Sequence, residues 1–219
     1  MITRNSIFNS ILLLILSCLS VSAQKPNFSQ WDLENSVDDI KIFTKDSTGS
    51  LKKFGAEFVV NASSEKVKIF LRKVKDYENW IDGINACDLV SKLSEDSYSY
   101  HFYINRKIFF GLYEIKKDGV VNSTVTQKPD FVYVESNIDR AAAKVEDYDR
   151  ISHYQVKWYV LPIDGSRSKI IYEGVVDVQL NFAYSIIKPA ILENLEGTFK
   201  NMRAGLKGMR QSTASLKSE

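Results

Sequence analysis

The sequence predicts an α+β domain in which a curved antiparallel sheet wraps a long C-terminal helix. Three observations carry this. From about residue 86 to residue 180, apolar and polar residues alternate in runs separated by turn residues, the pattern of strands with one dry and one wet face. After Pro189 the period changes, and Leu192, Leu195, Phe199, Met202, Leu206 and Met209 recur at spacings of three and four. That places one apolar stripe along a helix of about 20 residues. A shorter helical stretch, with Val67, Phe70, Leu71 and Val74 at helical spacing, separates the first strands from the rest.

The N-terminus reads as a targeting segment. Arg4 precedes the apolar run Ile11 to Leu16, and Val21-Ser22-Ala23 offers a small-residue cleavage site, the three parts of a secretory signal. The run is shorter than the roughly 20 residues a spanning helix needs. Residues 1–23 are therefore expected to be removed after Ala23, leaving a domain over 24–211 and a polar tail at 212–219. Ile15-Leu16-Ser17-Cys18 loosely resembles a lipobox, so lipid anchoring at Cys18 is the alternative to a free periplasmic or secreted protein. No linker, low-complexity tract or repeat divides the rest.

Composition excludes several classes. The net charge is +2, from 29 basic and 27 acidic side chains evenly mixed. Nucleic-acid binding calls for a clustered basic stripe, and a polybasic membrane patch is likewise missing. Cys87 is the one cysteine after the signal, which rules out an internal disulfide and fits a small buried residue better than a reactive thiol. Aromatic residues make up 12% of the chain and sit mainly in the strand-like segments, as a sheet with a deep apolar face requires.

In chain order, Trp31 is followed by a strand at Ile40 to Thr44, a turn at Asp46-Ser47-Thr48-Gly49-Ser50, and a strand from Lys52 to Val60. Ser63 caps the helix that follows, with Lys66 in place of the glutamate of a full capping box. That helix is redirected before Tyr77 to Ile81 and ends at Gly83. Strands are expected at Asp88 to Leu93, Tyr98 to Ile104, Gly111 to Lys128 with a bend at Gly119, Phe131 to Ser136, Ile151 to Pro162 and Lys169 to Leu180. Asp164-Gly165-Ser166 turns between the last two. In the last, Ile170, Tyr172, Val176 and Val178 oppose Lys169, Glu173, Asp177 and Gln179. Pro189 suits the first turn of the closing helix.

This order, together with several local motifs, resembles the START-related lipid-transfer family. Trp31 with Ile40-Lys41-Ile42-Phe43-Thr44-Lys45 is similar to its opening tryptophan and first strand, and Asp76-Tyr77-Glu78-Asn79-Trp80 to the element after its first helix. Lys117-Asp118-Gly119-Val120 resembles its Arg-Asp-x-Val motif, Trp158-Tyr159-Val160-Leu161-Pro162 its "WxlxP" strand, and Asn194 to Arg203 its closing helix. The resemblance spans roughly residues 31–210 and implies the helix-grip fold, with a tunnel for one apolar molecule between sheet and helix. Two departures stand out. The family's Asp-Pro step is Asp177-Val178 here, and Ser123 occupies the position where many animal members carry a cavity arginine.

The dry faces supply the candidate ligand-binding residues: Tyr98, Tyr100, Phe102, Val121, Ser123, Val125, Tyr133, Glu135, Tyr154, Trp158 and Tyr172 on the sheet, with Leu195, Phe199 and Met202 on the helix. Inward phenols suit a cavity that contains polar ligand atoms. No catalytic or metal-ligating set emerges, because His101 and His153 stand far apart and lack ligand spacing. His101 shares parity with Ser99 and Tyr103 and is expected in solvent. No cofactor is indicated, for there is no phosphate loop or nucleophile elbow. The expected partner is a lipid or other hydrophobic small molecule, bound by a monomer with transient membrane contact. A polyketide cyclase-like enzyme using the same cavity is one alternative, and a module with a filled core another. Finally, Gly197, Gly205 and Gly208 fall opposite the helix's apolar stripe, where they are expected to soften a lid, with drift or contact with a partner as the alternatives.

Overall fold

The computed structural model describes residues 24–47, 50–108, 113–143, 145–177 and 184–215. The expected signal segment with Cys18, the Thr48-Gly49 part of the expected first turn, the start of the expected strand at Gly111, the expected strand end at Val178 to Leu180, and residues 216–219 of the expected tail lie outside the described residues.

The strands are β1 (Asp32–Val37), β2 (Ile40–Lys45), β3 (Leu51–Val60), β4 (Ala86–Ser94), β5 (Ser97–Ile108), β6 (Tyr113–Gln127), β7 (Val132–Ile138), β8 (Asp149–Arg150), β9 (Tyr154–Pro162) and β10 (Ser168–Asp177). They form one curved sheet in the order β1-β2-β3-β10-β9-β7-β6-β5-β4, with every neighbour on this path antiparallel. The two-residue β8 pairs with β6 in parallel. The last strand, β10, thus lies mid-sheet between β3 and β9, and helices α1 (Ser64–Arg72), α2 (Tyr77–Trp80) and α3 (Tyr184–Ser215) cover the inner face.

Local chemistry accounts for most of these elements. Ser63 Oγ accepts from Lys66 N at 3.4 Å at the start of α1, and Val67, Phe70 and Leu71 form its buried face. The α3 stripe is buried through Phe199, Met202 and Leu206. The helix is longer than the sequence suggested and holds Pro189 in its second turn rather than its first. β1 was not anticipated, because its sequence is polar and it forms the sheet edge with Leu33 exposed. Asp38 and Asp39, both at positive φ, turn it directly into β2; consecutive left-handed residues are what a two-residue hairpin requires. The strand expected from Ile151 begins only at Tyr154, as β9, and the separate two-residue β8 ends just before it at Arg150. β6 runs unbroken through Gly119, where a Cβ would stand 2.8 Å from the ring of Phe102.

The sheet has cores on both faces. The larger one lies under the helices. On the outer face Tyr133, Tyr159 and Ile171 pack with Phe28, Phe131 and Leu161, where the N-terminal segment crosses and Tyr159 donates to the Gln24 carbonyl at 3.1 Å. The lid reading of the glycines is corrected by packing. A Cβ at Gly205 would meet Phe70 of α1, and one at Gly197 would meet Asp82, each at 2.8 Å. These two positions allow close approach, and only Gly208 faces open space.

Candidate ligand-binding cavity

Between the sheet and α3 lies a cavity of about 520 Å³, within the roughly 300–1,000 Å³ typical of small-ligand sites. Alternate residues of β5, β6, β7, β9 and β10 point into it, as strand geometry dictates. The α2 turn and the first half of α3 close the other side.

Of the residues expected at a site, Tyr100, Phe102, Tyr154, Trp158, Tyr172, Leu195 and Phe199 line this cavity. Trp158 is its central floor, edge-on to Trp80, Tyr172 and Phe199. Tyr98, Val121, Ser123, Val125 and Met202 face the same side but are packed in solid core beyond the cavity's inner end. There Tyr98 donates to the Leu71 carbonyl at 3.1 Å, and the Ser123 and Ser136 hydroxyls share a 2.6 Å hydrogen bond. Tyr133 and Glu135 are corrected outright. The register Val125↔Val134 turns Val134 and Ser136 inward, so Tyr133 and Glu135 belong to the outer face, where Glu135 accepts from Gln155 at 3.2 Å.

Sequence reasoning missed the polar rim. Arg106 and Lys117 continue the inward parities of β5 and β6, each one step beyond Ile104 and Gly119 respectively, and both line the cavity. Arg106 ion-pairs with Asp82 and donates to Asn194 Oδ1 of α3 at 2.9 Å. The Asp82 amide in turn donates to Thr198 Oγ1 at 2.9 Å. Gly83, at φ +101°, lets the loop fold back beside Arg106 and Asn194, a conformation that side chains resist. Asp177 takes the Ser152 hydroxyl with one oxygen. Its other oxygen and the Trp80 indole nitrogen are buried without a partner among the described residues.

Burial dominates the chemistry of the lining. It pushes the phenols of Tyr100, Tyr154 and Tyr172 well above the ordinary tyrosine value, so they stay neutral and serve as hydrogen-bonding groups. The Cys87 thiol, buried nearby, is pushed up to about 12, chiefly by burial. No histidine lines the cavity. His101 does lie on the outer face, but it is packed rather than solvated. Its Nε2 contacts Asp118 Oδ2 at 2.7 Å and its Nδ1 contacts the Tyr103 hydroxyl at 3.0 Å. Among the described residues, no group of three His, Cys, Asp or Glu side chains is placed to hold a metal.

No family model and no curated protein matches this sequence. Solved structures do. The chain superposes on the STAR-related lipid transfer protein of Xanthomonas axonopodis with a TM-score of 0.70 at 19% identity, covering 81% of this chain and 98% of that one. Human StAR-related lipid transfer protein 5 gives a TM-score of 0.69 at 10% identity, covering 94% and 97%. The Zhui aromatase/cyclase of a Streptomyces species gives 0.51 at 9% identity, covering 72% and 94%. At these identities the likeness is one of architecture, and the chain has the helix-grip fold of the START-related lipid-transfer domains.

Proposed function

We propose that this protein is an exported carrier or sensor that holds one hydrophobic small molecule, a lipid, between its sheet and α3. The carrying observation is the cavity of about 520 Å³, whose floor is aromatic and whose lining includes the charged side chains of Asp82, Arg106, Lys117 and Asp177. Neutral buried phenols favour holding a ligand over transforming it. The architectural likeness to lipid transfer proteins supports a lipid as the occupant. Export rests on the signal-like residues 1–23, with anchoring at Cys18 as the variant. No described helix is long and apolar enough to cross a membrane; transient membrane contact during loading is supported by the exposed Ile186 at the cavity rim.

A cyclase-like reaction in the same cavity is the second reading, favoured by the unpartnered Asp177 oxygen and the likeness to the Zhui enzyme. Native mass spectrometry of protein purified from its own host, followed by extraction of the bound molecule, tests both. The carrier reading expects one apolar molecule per chain, recovered unchanged after incubation. A ligand that converts to a new product would establish the enzyme. Failure to retain any molecule, even after exposure to the host's lipid extract, would overturn both.

A further inference from the structure

Among the described residues, Lys117 is the one cation of the cavity lining without a partner. It faces inward from β6 opposite Ile104 of β5, is half-buried, and its ammonium meets no acceptor among the described residues. Of the other charged groups of the lining, Arg106 is ion-paired with Asp82, while Asp177 takes the Ser152 hydroxyl with one oxygen and leaves the other unpartnered among the described residues. Asp177 also lies beyond ion-pair reach of Lys117. Holding an ammonium against an apolar cavity without a counter-charge is costly. The missing partner is therefore sought in the ligand.

Position defines that partner further. Arg106 pairs across the strands with Ile115, and Lys117 with Ile104, so the two cations are diagonal inner-face neighbours, close enough for long side chains to converge on one group. They stand at the rim, with the Arg106 side chain 37% exposed, whereas the opposite end of the inner face is solid core around Tyr98, Val121 and Met202. A charged head at the rim and a tail running inward over Phe102 and Trp158 match this gradient. The volume lies in the lower half of the roughly 300–1,000 Å³ range of ligand sites, which fits one chain better than two.

We propose that the occupant is a single-chain amphiphile whose anionic head, a carboxylate or a phosphate monoester, is held by Lys117 with Arg106 beside it. This rests on the cavity being a ligand site, and the experiment separates the two claims. The protein is titrated with palmitic acid, hexadecyl phosphate and hexadecanol, three heads on one chain, by displacement of an uncharged fluorescent probe. At least one of the acids is expected to bind about tenfold or more tighter than the alcohol, the scale of one charge-assisted hydrogen bond. The acid with the larger preference identifies the head. Lys117→Gln should bring that preference near one, and Lys117→Arg should retain it. An alcohol that binds as tightly as both acids, or a preference that survives Lys117→Gln, overturns the anionic head while leaving the apolar cavity standing. If none of the three binds, the cavity reading falls and the proposal with it.

Discussion

Gly205 of α3 lies against the ring of Phe70 on α1, so close that a Cβ at residue 205 would stand 2.8 Å from Phe70 Cε2. Phe70 has little room to retreat, because its ring packs on Trp80 with centroids 5.1 Å apart. Gly208, further along the same helix, is exposed and its Cβ would touch nothing within 4 Å. Alanine at the two positions should therefore act in opposite directions. Gly208→Ala gains helix propensity and should stabilise by up to about 1 kcal/mol. Gly205→Ala gains the same but overpacks Phe70 at a cost of about 1–3 kcal/mol, and the net effect should be destabilising. Urea midpoints of the two variants check this; equal shifts would show that Phe70 yields.

Asp118 should govern acid stability. Its side chain is wholly buried, and its carboxylate accepts from Arg150 Nη2 at 2.7 Å, from Arg150 Nε at 3.0 Å, and contacts His101 Nε2 at 2.7 Å. Burial alone would raise its pKa, but the Arg150 and His101 hydrogen bonds and charges outweigh burial and hold it below the usual value. A carboxyl depressed on folding contributes stability that is complete above its unfolded pKa, about 3.9, and is lost as pH falls through the folded value. Asp118→Asn leaves Arg150 without its counter-charge and should cost about 3–5 kcal/mol at neutral pH. The gap from wild type should narrow as pH is lowered below about 3.9, as measured by urea unfolding across that range. A gap that stays constant with pH would remove Asp118 from acid unfolding.

Periodicity made the sheet and the α3 stripe readable, because a buried face repeats at the period of its element. It failed where the burial signal was ambiguous. β7 has apolar or aromatic residues on both faces, since Val132 and Val134 sit in the inner core and Tyr133 in the outer one, so parity alone chose the wrong side for Tyr133 and Glu135. The outer core exists because residues 24–31 fold across the sheet, which no local pattern announces. Arg106 and Lys117 were missed for a different reason. Charged residues that close an apolar strand look like its solvated end, and only the cavity above them reveals that they face inward. The glycines of α3 failed similarly, for what packs against Gly197 and Gly205 comes from segments over a hundred residues away.

Two side chains of α3 brace the loop that edges the cavity, Thr198 directly and Asn194 through Arg106 of β5. Asn194 accepts from Arg106, itself paired with Asp82, and Thr198 accepts from the Asp82 amide, each at 2.9 Å. The loop between α2 and β4 is thereby tied to both the sheet and the helix, next to the cavity's polar rim. If a ligand leaves past this loop, these bonds must break first. The Arg106–Asp82 pair is about a third exposed on each side and contributes at most about 1 kcal/mol, so the two bonds to the helix should dominate. The double variant N194A/T198A removes both. At about 0.5–1.5 kcal/mol each, their loss should speed exchange of a bound fluorescent lipid by roughly five- to a hundredfold. Stopped-flow displacement measures the rate, and circular dichroism confirms that the fold is kept. An unchanged rate in a folded variant would place the exit elsewhere.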